Sequence, residues 1–327
     1  MDTNVKGLVS RVCLMTLYIS LSVLGLYYAI GLVLFPIIAI PCIIYFINNK
    51  IDRKQHLLFQ MIVSIGIYLI TGNFICILIY LVSVCIPTYI ILYFYKEKFP
   101  LPNIIMYSTI CLAIVVLVFF MVMKALGIDF EAEYIYILND IKEVSTANIE
   151  KILTIQNPHL TSSNIAELSI EMKQLIKSVI SAMQSLYSAL IILQLLLAVG
   201  ISVIIGNVFL RRKNKGLPSL RELINFKLSK VSLLILFISM MGLVSLSNEN
   251  SSWAIVSLNI VFFLMTLFQI IGTLALIGLL AKSGISKGIK VTGYITVILL
   301  ASISPDLVIV FGCVDTLFNY RKAKIVV

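Results

Sequence analysis

The sequence predicts an all-α, polytopic helical membrane protein with about 8–10 transmembrane passes and one polar helical insert. Of the 327 residues, 60% are hydrophobic and 12% are charged, whereas a soluble domain has roughly 45–50% and about 25%. One bilayer crossing needs about 20 apolar residues, and residues 8–47 form a much longer apolar stretch with Arg11 as its one charge. Because lipid offers the backbone no hydrogen-bond partner, each apolar segment is predicted to be a helix.

Residues 1–126 are predicted to form an N-terminal transmembrane block of about five passes. Gly31 separates the first two candidate spans, and the tight link Thr71-Gly72-Asn73 joins the third to the fourth. Gly and Asn suit such a link because both tolerate turn conformations. The candidate spans lie near residues 8–27, 30–48, 57–71, 74–95 and 103–125.

Residues 127–178 interrupt the apolar pattern and are predicted to form an extracytoplasmic helical insert. They hold eight of the fifteen acidic residues. In the second half of the insert, Asn164 and Glu167 have the spacing of a capping box, which predicts a helix with Asn164 as its N-cap residue. Four apolar residues then follow at helical spacing, namely Ile165, Leu168, Met172 and Leu175.

Residues 179–327 are predicted to form a C-terminal transmembrane block. Three candidate spans lie near residues 179–210, 231–247 and 253–281. The last apolar segment, 291–320, is interrupted by Ser304-Pro305-Asp306, which is compatible with one kinked span or with a short hairpin. The basic clusters on both sides of this segment favour the hairpin, because basic residues concentrate on the cytoplasmic side of a membrane.

The formal charge of +10 comes mostly from six short clusters of Lys and Arg between apolar segments. Such clusters orient membrane proteins, so their placement argues against nucleic-acid binding. With about ten passes, all six clusters fall in the cytoplasm, while the acidic insert and Glu249 fall outside. We therefore expect a multi-pass plasma membrane protein with both termini in the cytoplasm. The clusters are Lys6/Arg11, Lys50/Arg53/Lys54, Lys96/Lys98, Arg211 to Lys230, Lys282 to Lys290 and Arg321 to Lys324.

The segment 211–230 is predicted to be a cytoplasmic amphipathic stretch in the headgroup region of the inner leaflet. Apolar residues such as Leu220 and Ile224 alternate there with basic residues. This pattern is typical of segments that bind anionic lipid, and a plain positive loop is the alternative. The basic residues expected at the membrane surface are Arg211, Arg212, Lys213, Arg221, Lys227 and Lys230.

The sequence contains no recognisable set of catalytic or metal-binding residues. It lacks the HExxH, P-loop and nucleophile-elbow motifs, and its two histidines, His56 and His159, are far apart in the sequence. The six cysteines lie in apolar segments without the spacing of metal ligands. We therefore expect no enzyme activity, no metal and no cofactor.

Three polar residues within predicted spans are candidates for binding a ligand, namely Asp315, Asn259 and Gln269. For the two amides, hydrogen bonding between helices is the alternative role. Arg321 follows Asp315 by six residues, nearly 600° of helical rotation at about 100° per residue, and is therefore expected to be poorly placed to pair with it. Arg11 is the predicted partner of Asp315 in a structural ion pair, and a carboxylate that faces a wet cavity is the alternative.

Two sequence motifs carry a resemblance to a known family. One is Leu217-Pro218-Ser219-Leu220-Arg221-Glu222-Leu223, and the other, within 311–322, has the pattern Gly-x-x-Asp-x-x-Phe-x-x-Arg. They resemble the proline-containing interfacial segment and the closing pattern of the YybS family, bacterial multi-pass membrane proteins of unknown function. That family is distantly similar to substrate-binding subunits of vitamin transporters. The resemblance implies a membrane protein of a Gram-positive bacterium that handles a small molecule or a lipid.

Two functional hypotheses follow from these features. The first is a transport-related protein that encloses a site for a small molecule or a lipid group. The alternative is a non-transporting partner or scaffold subunit of a cell-envelope complex, which binds another protein through residues 127–178. A polar cavity lined by the three candidate ligand residues favours the first hypothesis, whereas an apolar face on residues 133–176 favours the second.

Overall fold

The computed structural model describes residues 39–44, 53–156, 159, 161–211, 218–219, 221–245 and 252–322. All regular structure in these residues is helical, which confirms the all-α prediction. Four of the described helices are long and apolar enough to cross a membrane, or five if one sharply bent pair counts as a single span. The predicted span 8–27 and most of the span 30–48 lie outside the described residues.

The helices follow the predicted order along the chain. Residues 39–44 are helical, and α2 contains a π-helical turn at Leu81–Cys85. The chain ends its described part in a 3₁₀ turn, Tyr320–Lys322. The helices are α1 Arg53–Thr71, α2 Phe74–Lys96, α3 Leu101–Ala125, α4 Phe130–Gln156, α5 Ser162–Ser185, α6 Tyr187–Arg211, α7 Arg221–Ile224, α8 Lys230–Ser245, α9 Ser252–Lys282, α10 Lys287–Ile303 and α11 Pro305–Phe318.

Two predicted helix boundaries differ from the structure. The helix in the second half of the insert begins at Ser162, with Thr161 as its N-cap residue, so the predicted N-cap at Asn164 is wrong by three residues. The predicted span 179–210 is not continuous, because α5 ends at Ser185 and a new helix begins at Tyr187. The apolar helix that is long enough to span a bilayer is therefore Tyr187–Arg211.

The described chain forms two compact units, each assembled from separate stretches of sequence. The first contains the described residues within 1–117, 192–230 and 266–327, and the second contains those within 118–191 and 231–265. Each unit therefore combines residues from both halves of the chain.

The core of the first unit lies among α1, α2, α3 and α6. Buried Tyr80 donates a hydrogen bond from its hydroxyl to Oε1 of Gln60, and buried Tyr95 donates one to the carbonyl oxygen of Val203 at 3.0 Å. Such bonds hold helices together in a bilayer, where packing rather than the hydrophobic effect drives helix association. Other fully buried side chains of this core include Ile43, Val63, Ile67, Ile91, Leu101, Ile104 and Val199.

In the first unit, α9 and α11 cross at two glycines. A Cβ atom added to Gly272 would overlap the carbonyl oxygen of Val308, and one added to Gly312 would overlap that of Phe268. The two backbones are thus in direct contact, which is the arrangement that small residues allow between membrane helices.

The bend between α10 and α11 is 109° at the break around Ser304. This angle exceeds that of a kinked helix and falls short of the reversal in a closed hairpin. Helix α10 has 17 residues, or about 25 Å at 1.5 Å per residue, which is less than the hydrocarbon thickness of roughly 30 Å. The pair is therefore a broken span or a re-entrant pair.

In the second unit, α4 and α5 form a long antiparallel hairpin. Leu138, Ile149 and Leu153 of α4 and Ile180 of α5 are buried. Polar contacts add to this packing: Lys173 Nζ lies 2.7 Å from Glu150 Oε1, and the Gln184 amide donates to Asn139 at 3.2 Å. An aromatic cluster lies where the chain enters and leaves the hairpin, formed by Phe119, Phe120, Phe130, Tyr134 and Tyr187.

Candidate functional site

Asn259, in the second unit, stabilises the break between α5 and α6. Its amide nitrogen donates to the carbonyl oxygens of Ser185 at 2.7 Å and Ile255 at 2.8 Å. Its amide oxygen accepts from the backbone N–H of Ala189 at 2.8 Å. The side chain thus satisfies backbone groups that the broken helix leaves unpaired, and it joins α9 to that break.

Gln269, in the first unit, joins α9 to the end of α10. Its amide nitrogen donates to the carbonyl oxygen of Ala301 at 2.8 Å, close to the break that precedes α11. This is the helix-to-helix role that the sequence left open as the alternative to ligand binding. Asn259 belongs to the other unit.

Asp315 is paired with Arg321, so the expectation that Arg321 is poorly placed is wrong. Nε of Arg321 donates to Oδ2 of Asp315 at 2.8 Å. Nη2 lies 2.7 Å from the same oxygen, at an angle that makes no hydrogen bond. Relative exposure is 0% for Asp315 and 3% for Arg321. Each charge therefore compensates the other in a buried position.

Arg321 reaches Asp315 because the helix does not continue as far as Arg321. Helix α11 ends at Phe318, and Asn319 adopts the left-handed conformation with φ 55° and ψ 51°. This cap turns the chain back, and the 3₁₀ turn that follows carries Arg321 towards Asp315. Arg11 lies outside the described residues, so its predicted pairing with Asp315 stays a prediction.

Arg321 also fixes the position of α7 and of the end of α9. Its Nη1 donates to the carbonyl oxygen of Ile224, and its own carbonyl oxygen accepts from Lys282 Nζ. A Cβ at Gly278 would lie 2.7 Å from the Ile224 side chain, so α7 packs closely on α9 at this glycine. The second of the two motifs that carry the family resemblance, within 311–322, therefore contacts Ile224, the residue that directly follows the first motif.

Glu222 has a structural role at this site that was not predicted from the sequence. Its Oε1 accepts from the backbone N–H of Ser219 at 3.0 Å, and its Oε2 accepts from that of Leu101 at 2.9 Å. One carboxylate thus caps both the start of α7 and the start of α3. Ser219 and Glu222 have the S-x-x-E spacing of a capping box, a signal that was present in the sequence.

These contacts form one cluster, which we call the polar junction: Asn207, Glu222, Lys282, Asp315 and Arg321. Asn207 contributes by donating from its amide nitrogen to the carbonyl oxygen of Pro218 at 3.0 Å. Two buried acceptors of the junction, Oδ1 of Asp315 and Oδ1 of Asn207, have no hydrogen-bond partner in the described part of the chain. No three His, Cys, Asp or Glu side chains among the described residues are arranged to hold a metal ion.

The described part of the segment 211–230 contains a single turn of helix, α7. Leu223 packs against the core of the first unit, and Leu228 is buried. Arg211 donates to the Ser219 hydroxyl at 3.2 Å, while Lys227 and Lys230 are exposed. Arg212, Lys213 and the Arg221 side chain lie outside the described structure. Part of the apolar side of this segment thus packs on protein, and its lipid binding stays a prediction.

The α4–α5 hairpin has an exposed apolar surface, which we call the hairpin face. Its side chains are 36–70% exposed. In each helix they recur at intervals of three or four residues and so form one stripe. The one longer interval is eight residues, on α4, where Asn148 intervenes. On α4 they are Ile137, Ile141, Val144, Ile152 and Ile155, and on α5 they are Leu168, Met172, Leu175, Val179 and Met183.

The two stripes of the hairpin face lie on the same side of the hairpin. On each helix the exposed stripe is rotated by about 100° from the buried stripe, in the same sense along the sequence. Since α4 and α5 run in opposite directions, equal rotations carry both stripes to one side. The hairpin therefore has a buried apolar interface between α4 and α5 and a second apolar surface that is exposed on one side.

Outside the hairpin face, most exposed side chains of the hairpin are polar or charged, although Tyr136 and Ile170 are also exposed. The charged residues are predominantly acidic. Residues 127–178 contain eight acidic residues and four lysines. Lys173 donates a hydrogen bond to Glu150 and thereby lowers the pKa of that carboxyl. At the start of α4, a hydrogen bond from Lys124 lowers the pKa of Asp129 in the same way. Such a surface belongs in water, where a large apolar patch marks an interaction site.

One comparison with known proteins identifies a related family. A family model described as "Predicted membrane protein (DUF2232)" matches residues 15–316, which agrees with the YybS-like resemblance of the two motifs. No curated protein and no solved structure matches the chain.

Proposed function

Because the chain belongs to the DUF2232 family of predicted membrane proteins, we propose that it is a non-enzymatic assembly subunit of the bacterial cell envelope. In this role it is a partner or scaffold that binds another polypeptide through the hairpin face. One observation carries the proposal: of the twelve large apolar side chains that are exposed among the described residues of the hairpin, ten lie on one side of it. Water-exposed patches of this kind are characteristic of protein interaction sites.

The polar residues within the spans support this proposal over a ligand-binding role. The amides of Asn259 and Gln269 bond to backbone groups of neighbouring helices, and Asp315 is paired with Arg321. A side chain that completes the hydrogen bonding of the fold loses that bonding if it turns towards a ligand. The side chains of the hairpin face are apolar and complete no hydrogen bonds of the fold, so binding a partner breaks none.

The distribution of charge supports an orientation for the assembly subunit. The acidic hairpin faces the extracytoplasmic side of the plasma membrane, and the basic segment 211–230 and both termini face the cytoplasm. Lys227 and Lys230 are exposed, so they are available to anionic lipid at the inner leaflet. The hairpin face is then presented to envelope proteins outside the membrane.

Site-specific photo-crosslinking in membranes tests the proposal. A photo-reactive amino acid replaces Leu175 on the hairpin face, and the matched control replaces Lys177, which is exposed on the same helix away from that face. We expect a polypeptide adduct from position 175 and little or none from position 177. Adducts with lipid alone, or equal adducts from both positions, contradict the proposal.

A transport-related function is a second candidate, favoured by the bent pair of helices α10 and α11. Broken helices line the substrate sites of many transporters, and Oδ1 of Asp315 is a buried acceptor without a hydrogen-bond partner among the described residues. Native mass spectrometry after mild detergent extraction tests this candidate. A small molecule retained by the native chain and lost in Gln269→Ala supports transport, and its retention in the variant argues against a site at this bend.

A further inference from the structure

We infer that the polypeptide bound by the hairpin face is a second copy of this chain, so that two hairpins form a four-helix bundle. This inference rests on the proposed function, since it names the partner of the same surface. The observations that support it are the register of the two apolar stripes, the area of the face and the charges along its edges.

The register of the hairpin brings the two stripes to the same level. The Glu150–Lys173 and Asn139–Gln184 contacts fix this register. Ile155 therefore lies level with Leu168, and the apolar residues of both helices extend over the same length. The resulting surface is a pair of parallel apolar ridges, which is the shape of one half of a four-helix bundle.

The area of the hairpin face matches that required for a stable interface. Residues 137–155 of α4 extend over about 27 Å at 1.5 Å per residue. Two helices of roughly 10 Å diameter make the face about 20 Å wide, so it covers on the order of 500 Å². Two such faces bury about 1,000 Å² in total, which is the lower limit for a specific protein–protein interface. The spacing of three and four residues within the stripes also suits a bundle core.

One pair of charges at the edges of the hairpin face is self-complementary. Lys151 lies on the outer edge of α4, and Glu171 lies on the outer edge of α5 at nearly the same level. When two hairpins meet face to face around a two-fold axis parallel to their helices, α4 of each copy lies opposite α5 of the other. Lys151 of each copy then meets Glu171 of the other. Among the described residues, neither side chain makes an ion pair within its own chain.

A lipid surface is a poor occupant of the hairpin face. The hairpin has eight acidic residues against four lysines, so anionic headgroups repel it. The repulsion within a pair of hairpins is offset by the two Lys151–Glu171 contacts and by the apolar burial. A second copy therefore fits the hairpin face better than the membrane does.

Cysteine crosslinking between two tagged copies tests the inference in membranes. One full-length copy carries Lys151→Cys and the other carries Glu171→Cys, so a bond between these positions must join two chains. We expect an oxidised product of twice the chain mass that contains both tags. In the background pair, Glu143→Cys takes the place of Lys151→Cys, because Glu143 lies on α4 away from the hairpin face. Wild-type chains control for crosslinks through the native cysteines. A yield equal to either control overturns the inference.

Charge exchange in mild detergent gives a second readout that survives a loss of stability in any one variant. Lys151→Glu and Glu171→Lys should each weaken the dimer measured by light scattering, whereas the double exchange should restore it. Leu175→Glu should weaken it by about tenfold or more. A monomeric wild-type protein, or single variants as dimeric as wild type, overturns the inference. If position 175 still crosslinks to a different polypeptide, the proposed function stands while the second copy is rejected.

Discussion

At the scale of single residues, the buried charges of the first unit are concentrated at Asp315 and Arg321. Their pairing depends on Asn319, whose left-handed conformation ends α11 and returns the chain. The sequence contained Asn319, a residue that is common in helix caps, but a helical projection continued past it and gave the wrong geometry. The position of Asp315 in an apolar segment thus predicted that it needs a partner. Which residue that partner is depends on the cap at Asn319.

We predict that Asp315→Asn and Arg321→Gln each destabilise the protein by about 3–5 kcal/mol, because each leaves an unpaired buried charge. The double variant should recover part of this loss. Thermal unfolding in mild detergent measures all three. Arg11→Gln is the comparison, because a pairing of Arg11 with Asp315 requires it to show the same coupling. Strictly additive losses for Asp315 and Arg321 contradict the pairing.

Glu222 provides a second prediction at this scale. Glu222→Ala removes the acceptors for the N–H groups of Ser219 and Leu101, and we expect a loss of about 1–2 kcal/mol, the usual cost of a lost helix cap. Glu97→Ala is a matched control, since Glu97 is an exposed acid in the loop before α3. Equal thermal midpoints for the two variants would show that the capping contributes no stability.

At the scale of helices, apolar length and turn residues predicted the order of the elements well. The break at Leu186 was not predicted because it depends on Asn259, which is distant in sequence and satisfies the interrupted backbone. The hairpin face was only partly visible in the sequence. Helical spacing identified Leu168, Met172 and Leu175, but the pairing of α4 with α5 decides which of two apolar stripes is buried.

The crossing of α9 and α11 gives a prediction for two glycines. Gly272→Ala and Gly312→Ala each force the helices apart, since the added methyl group overlaps a carbonyl oxygen of the facing helix. We expect each to lower the free energy of unfolding by about 1–3 kcal/mol. Gly200→Ala is the control, because nothing lies within 4 Å of a Cβ there. Thermal midpoints in detergent that are unchanged in all three variants contradict the close crossing.

The hairpin has a predicted dependence on pH. The ordinary pKa of 4.5 is lowered for Glu150 by the hydrogen bond from Lys173 and by its positive charge. A carboxyl with a lower pKa in the folded state stabilises that state above its unfolded pKa, and this contribution disappears as the pH falls through the folded value. We expect Glu150→Gln to lose less stability than wild type on acidification below pH 4.5, measured by circular dichroism. Glu143→Gln, on the same helix, should behave like wild type.

At the scale of the whole molecule, composition was sufficient to predict a helical membrane protein. It was not sufficient to predict the two compact units, because each combines stretches that are distant along the chain. The lengths of the apolar segments also did not determine the number of membrane passes. Helix α8 has 16 residues, and the bend between α10 and α11 divides a segment of full length into two short arms. The orientation of the chain depends neither on the length of α8 nor on this bend, since it follows from the distribution of charge.

The distribution of charge therefore predicts the orientation of the chain in the membrane. Basic clusters remain on the cytoplasmic side because the translocation of short loops is biased against Lys and Arg. The segment 211–230 contains seven basic residues and one acidic residue, whereas 127–178 contains eight acidic residues and four lysines. We expect reporter fusions at Lys151 and Lys213 to be active on opposite sides of the membrane, with Lys151 outside. Substitution of the basic residues in 211–217 should weaken the cytoplasmic signal at Lys213. Reporters that place both positions on one side would contradict the orientation and would remove the hairpin face from the extracytoplasmic surface.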